Sequence, residues 1–300
     1  MGIEDFLEKE KTTVPDQENI GNKSSLQEQY EKPEILELSG GNVELIDINP
    51  DEQKTKVPVV VMPGWSATPE VFKDNIITFA EQGRRTISVD SPDGIKAEKK
   101  DHLPEAELRK VAALIETLEE KNIDKVDAVA HSEAGIALAI AATLYPEKFR
   151  NLILVDPGGM MGQDRADKLA GRFSMDILKQ TIDAMKDFKR LKPIGRSFKE
   201  GIKSFVSNPS QSIKEVMAIS DTQIHEMLKD LKQKGIGISI IHGVDDKAFP
   251  MDRVQQMAKS DQLDGFYSVR GTHNEFYLNA VKYTKLADAA LDALEAKHKN

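Results

Sequence analysis

Ser132 is the residue of this chain best placed to do chemistry. It stands in Val126-Asp-Ala-Val-Ala-His-Ser-Glu-Ala-Gly135, an apolar run that reads as a buried strand, followed by an alanine-rich helix from Gly135. A strand, a sharp turn with serine at its tip and a helix form the nucleophile-elbow arrangement, which presents a hydroxyl for attack. Such a turn strains the serine backbone, so the residues two before and two after it must be small. Here they are Ala130 and Ala134. The commoner pattern has glycine at both places, and one methyl is the smallest departure from it. The serine also sits at the positive end of the following helix, where a developing negative charge is favoured. Taken alone, the stretch equally fits a buried strand whose serine caps the next helix.

Other chemistries find less support. The chain has no cysteine, which removes disulfides, thiolate metal sites and a cysteine nucleophile. No histidines have His-Glu-x-x-His spacing, and no Gly-x-Gly-x-x-Gly or P-loop is present, so neither a metal nor a cofactor is expected. His131, His242, His102, His225 and His298 read as structural or surface residues, with His131 facing away from the serine. A formal charge of -9 argues against nucleic acid or an anionic membrane as the main partner. No run has the length of a membrane span, and Met1 to Glu10 lacks the apolar core of a signal peptide. Gly2 lacks the Ser or Thr at position six that myristoylation needs, since Phe6 stands there. A cytoplasmic protein acting on a small molecule is expected.

The elements that must position Ser132 follow from the apolar periodicity. Residues 1–33 are polar and read as a flexible or loosely helical extension. Ile35–Leu38 and Val43–Ile48 alternate around Gly40-Gly41, a hairpin at a sheet edge. Strands are expected at Lys56–Met62, Arg85–Asp90, Val126–Ala130, Phe149–Val155, Ile236–Ile241 and Gly265–Val269. Helices are expected between them, at 68–82, 103–122, 135–145, 251–259 and 278–296, with a turn at Ser91 to Gly94. Strands alternating with helices predict a parallel, doubly wound sheet. The rhythm breaks between Met160 and Lys234, where helical patterns at 176–191 and 212–231 are separated by breakers at Pro193-Ile-Gly195 and Asn208-Pro209. A recurrent Met/Phe stripe there reads mostly as packing between these helices and the sheet.

Four places in register resemble the α/β-hydrolase family: Met62-Pro-Gly-Trp65, Ala130-His-Ser-Glu-Ala134, His242-Gly-Val-Asp-Asp246 with Pro250 following, and Gly271-Thr-His273. The resemblance spans roughly residues 35–297. It implies a mostly parallel eight-stranded sheet with helices on both faces, a core of residues 34–159 and 235–300, and a helical cap inserted at 160–234. It implies Ser132 as nucleophile, His273 as its base and Asp246 as the acid that orients the histidine, in the family's chain order. Asp245 and Asp156 are the other candidates for the acid. The oxyanion would be met by the backbone N–H groups of Trp65 and Glu133, with Gly64 and Trp65 against the substrate. The family more often has His-Gly where this chain has Pro63-Gly64.

The expected activity is cleavage of an ester or related acyl bond of a small, partly apolar substrate. Lactonase, thioesterase, amidase, carbon–carbon hydrolase and perhydrolase chemistry belong to the same site, whereas the serine at the elbow disfavours the aspartate-nucleophile branches. The competing reading is a non-catalytic small-molecule receptor on the same fold. The sequence leaves substrate identity, oligomeric state and the role of the extension open.

Overall fold

The computed structural model describes residues 25–90, 95–162, 168–169, 171–173, 191–207 and 209–298. The first 24 residues of the expected extension, the turn at Ser91 to Gly94 and nearly all of the helix expected at 176–191 lie outside them.

The apolar runs form eight strands: β1 (Glu34–Leu38), β2 (Gly41–Ile48), β3 (Val59–Met62), β4 (Thr86–Val89), β5 (Val126–His131), β6 (Phe149–Val155), β7 (Gly237–Gly243) and β8 (Gly265–Val269). They make one sheet in the order β1-β2-β4-β3-β5-β6-β7-β8. The β1–β2 hairpin is the antiparallel edge, β2 is also antiparallel to β4, and every later pair is parallel. Strands β3, β5 and β7 are buried along their whole length. That is why their sequences read as continuous apolar runs rather than as alternations.

Alternation survives in what each side chain packs against. Val60, Ala128, Ala130, Leu152 and Leu154 join the core formed with helices α2 (Glu105–Glu120) and α3 (Ala134–Leu144). Val59, Val61, Val129, Ile153 and Val155 face the opposite core, with α1 (Lys73–Glu81) and α9 (Ala280–His298). Helix α3 is buried from Ala134 through Ala142. Its small residues let it lie close to the sheet, so the serine before it is set on a rigid base.

Between β6 and β7 the described residues hold α4 (Leu191–Ser207), α5 (Pro209–Asp221) and α6 (His225–Gln233), and no strand. Two details differ from the periodicity. Pro193 does not break α4, since it lies within the helical run Leu191–Ser207. The single helix expected at 212–231 is broken, because Ile224 is fully buried and its N–H bonds the Gly159 carbonyl at 3.0 Å. Helix α1 also starts later than expected. Val71 and Phe72 bond Thr68 and Pro69 three residues back, which makes a tight turn before the helix.

The last part of the expected extension packs on the body of the fold. Residues 25–30 are helical, with Leu26 and Tyr30 buried and the Tyr30 hydroxyl donating to the Pro69 carbonyl at 3.1 Å. At the far edge of the sheet Arg84 is fully buried. It meets Asp288, Asp292 and Glu295 at 2.5, 2.6 and 2.8 Å, fixing α9 to the sheet. Helices α7 (Met251–Met257) and α8 (Glu275–Leu278) follow the turns after β7 and β8.

Candidate active site

Parallel strands put their carboxyl ends on one edge, and four turns gather there: those after β3, β5, β7 and β8. The turn after β5 holds Ser132 at φ 58, a left-handed conformation uncommon for a residue with a side chain. The surroundings hold it so. Ser132 N–H bonds Val155 O at 2.9 Å, and its carbonyl accepts from Gly135 and Gly158 at 3.0 and 2.9 Å. Gly64 presses against this turn. A Cβ there would lie 2.6 Å from His131 O and 2.9 Å from Ser132 Cβ, so only glycine fits without a shift.

The three side chains expected to meet do meet. Ser132 Oγ lies 2.8 Å from His273 Nε2, and His273 Nδ1 lies 2.8 Å from Asp246 Oδ2. The other Asp246 oxygen accepts from Phe249 N–H at 2.8 Å. All three residues are at most 4% exposed. The carboxylate fixes the proton on Nδ1 and leaves Nε2 to accept from the serine hydroxyl. Asp245 is exposed and points its N–H at the Gly271 carbonyl, 2.9 Å away. Asp156 is buried and accepts from Gly243 N–H at 2.7 Å.

The Trp65 and Glu133 N–H groups flank the serine, and among the described residues neither donates to a backbone acceptor. Two buried trios bring histidine and aspartate ligand atoms within 4.8 Å: His131, Asp156 and His273, and Asp156, His242 and Asp246. Asp246 and Ser132 engage the two His273 nitrogens, and carbonyls accept from His131 Nε2 and His242 Nε2, whereas the buried His242 Nδ1 has no hydrogen-bond partner among the described residues.

His131 corrects the sequence reading. It lines the pocket instead of facing away, and Nε2–H donates to the His273 carbonyl at 2.8 Å. Burial first, then the neighbouring His273, push its pKa down to about 3, so the ring is neutral. Burial likewise lowers the pKa of His242, whose Nε2 bonds the Phe249 carbonyl at 2.8 Å.

No protein-family model matches the chain. A provisionally named non-heme haloperoxidase of Mycobacterium phage D29 is 23% identical over 239 residues, 73% of this chain and 82% of the relative. A bromoperoxidase from Bacillus anthracis superposes with a TM-score of 0.63 at 15% identity, over 87% of this chain and 100% of that one. An enol-lactonase from Burkholderia xenovorans LB400 gives 0.63 at 13%, over 86% and 100%. An esterase from Exiguobacterium antarcticum gives 0.63 at 17%, over 86% and 99%. The chain has the α/β-hydrolase fold.

As in any open sheet of this kind, the α/β-hydrolase cleft lies beyond the carboxyl ends of the strands. Here it is a cavity of about 390 Å³ reaching Ser132 and His273. Trp65, Phe173, Ile194, Phe198, Ile202 and Tyr277 give it an apolar wall. Phe173 stands edge-on to Trp65 and to His273, at 5.9 and 5.3 Å between ring centres. Phe249 is edge-on to His273 at 4.9 Å. The sequence leaves open which members of the Met/Phe stripe turn inward; Phe173 and Phe198 do. The spacing of Ile194, Phe198 and Ile202 at four residues was the available signal for one helix face. Among the described residues, no helix is long and apolar enough to cross a membrane.

Proposed function

We propose that this α/β-hydrolase-fold protein is a serine hydrolase that cleaves an ester or related acyl bond of a small, uncharged, partly apolar substrate. Ser132 Oγ attacks the acyl carbon while His273 Nε2 takes its proton. Asp246 holds the imidazole tautomer and stabilises the imidazolium. The acyl oxygen takes its negative charge against the N–H groups of Trp65 and Glu133. The imidazolium then protonates the leaving alcohol, and the acyl group remains on Ser132. Water enters, His273 takes its proton, and the acid departs from a restored serine. Helices α4 to α6 act as the cap, with α4 supplying much of the acyl wall.

One observation carries this reading. Ser132 is held at φ 58 with its hydroxyl 2.8 Å from an imidazole that a buried carboxylate orients. A strained serine needs a compensating use, and a capping serine has no call for a histidine on its oxygen. The apolar wall supports the substrate class. None of the described lining residues is a lysine, arginine, aspartate or glutamate.

The test is turnover of p-nitrophenyl esters of increasing chain length, with fluorophosphonate labelling alongside. Ser132→Ala abolishes labelling and lowers kcat by at least about a thousandfold. Wild-type turnover in Ser132→Ala refutes the proposal.

A further inference from the structure

Behind the serine lies a buried group of ionisable side chains that the reaction above does not use. The Glu133 side chain is fully buried and is absent from the lining of the pocket. Both its oxygens accept from Lys110 Nζ, at 2.6 and 2.7 Å. The same ammonium lies 3.2 Å from Glu215 on α5. Glu107, three residues before Lys110 on α2, is fully buried, and neither of its oxygens meets an N–H donor or a hydroxyl. Residues three apart on a helix share a face, so Glu107 and Lys110 both turn toward Glu133.

The charges dictate the protonation. Burial first, then the Glu133 carboxylate, hold the Glu107 carboxyl well above the usual range, so it keeps its proton and donates it to Glu133. Burial opposes the charge on Lys110, but the Glu133 and Glu215 carboxylates outweigh it and raise its pKa. Lys110 thus bridges Glu133 and Glu215. Lys214 and Glu105, at 3.6 Å, add a second link between α5 and α2 at the rim.

Such a cluster is a poor way to gain stability, since well-packed apolar side chains do as well or better. Apolar neighbours are at hand: Val60, Met62, Ala113 and Leu114 share a small void with Lys110. What the cluster does give is a direction. The Glu133 carbonyl accepts from Ile136 N–H at 2.8 Å. Its N–H side has no backbone partner, and the side chain gripped by Lys110 supplies the missing restraint.

We propose that Lys110 is a positioning residue, which holds Glu133 so that its backbone N–H points at the acyl oxygen. This rests on the serine-hydrolase reading. Lys110 touches no substrate. It acts through Glu133, and the α5 link through Glu215 makes its grip depend on the helices over the pocket.

The experiment measures kcat and KM for p-nitrophenyl butyrate, fluorophosphonate labelling rate and thermal midpoint. It compares wild type with Glu133→Gln, Lys110→Met and the Lys110→Met/Glu133→Gln double variant. Glu133→Gln keeps size and folding but loosens the grip, and kcat falls about tenfold with KM within about twofold. Lys110→Met strands a buried carboxylate and lowers both kcat and the midpoint. The double variant removes that charge and recovers the midpoint, while kcat and labelling stay about tenfold or more below wild type. Activity that returns with the midpoint in the double variant, or wild-type kcat in Glu133→Gln, overturns the proposal alone. A wild type that neither turns over nor labels overturns the hydrolase reading, and this proposal with it.

Discussion

His131 should control a measurable part of the protein's acid stability. Its pKa falls from an ordinary 6.5 to about 3, because burial and the neighbouring His273 disfavour the charged ring. A histidine with a depressed folded pKa binds protons more readily when unfolded. Its contribution is therefore complete above pH 6.5 and drains away as pH falls toward 3. Each pH unit in that window costs about 1.4 kcal/mol. Between neutral pH and about pH 4.5 the loss is about 3 kcal/mol, and about 5 kcal/mol over the whole window. The side chain is 3% exposed, so solvent screens little of this. The perturbation is His131→Gln, whose amide N–H can replace Nε2–H on the His273 carbonyl without titrating. Urea unfolding of wild type and variant at about pH 7 and pH 4.5 gives two differences. The variant should lose about 3 kcal/mol less than wild type across the interval. Other titrating groups are common to both proteins and cancel: His242 has the same sign, and Glu107, with a raised pKa, the opposite one. Parallel pH dependences would refute the argument that His131 is held neutral.

Two further outcomes test the site itself. Asp246→Asn keeps the shape but removes the preference for a proton on His273 Nδ1, so kcat should drop about a thousand- to ten-thousandfold with an unchanged far-ultraviolet spectrum; a loss under tenfold would point to another carboxylate. Gly64→Ala places a methyl 2.6 Å from the His131 carbonyl, so the loop must retreat and carry the Trp65 N–H with it. A kcat loss of about a hundredfold with KM little changed is the signature of one displaced oxyanion donor, read from steady-state kinetics.

The parallel sheet was legible because its strands are buried on both faces and so read as unbroken apolar runs. The hairpin was legible from Gly40-Gly41 between two alternating segments. Ser132, Asp246 and His273 were legible because each follows a strand, and the carboxyl ends of parallel strands share an edge. The resemblance favours Asp246 over its neighbour Asp245, and in the fold Asp245 faces solvent while Asp246 faces the imidazole. Residues 1–33 read as flexible or loosely helical, but the packing of residues 25–30 was not foreseen, because two apolar residues, Leu26 and Tyr30, are a faint signal within a polar stretch. The Lys110–Glu133 contact could not be read at all. Its partners lie 23 residues apart on different elements, and nothing local marks a buried lysine. The break at Ile224 has the same origin, since Gly159 pulls the chain onto the sheet from far away in sequence.

The order of strands poses a problem that the motifs alone do not reveal. Ser132 follows β5 and His273 follows β8, and β6 and β7 lie between them. At about 4.8 Å per strand the two turns start roughly 14 Å apart. The turn after β8 must therefore lean back across two strands for the imidazole to reach the hydroxyl. Its anchors have been identified at each end. The Tyr283 hydroxyl donates to the Arg270 carbonyl, and a Cβ at Gly271 would collide with Tyr283 and Glu275, so only glycine fits there without a shift. At the far end His131 draws in the His273 carbonyl at 2.8 Å. His131 belongs to β5, the strand that carries the serine, so the base is tethered to the nucleophile's own support. The His131 ring packs against Phe72 and Phe276, whose ring centres lie 5.5 and 6.1 Å from it. Charging it would keep the bond to the carbonyl but bury a cation among these rings, so the residue that tethers the base also carries an acid limb of stability.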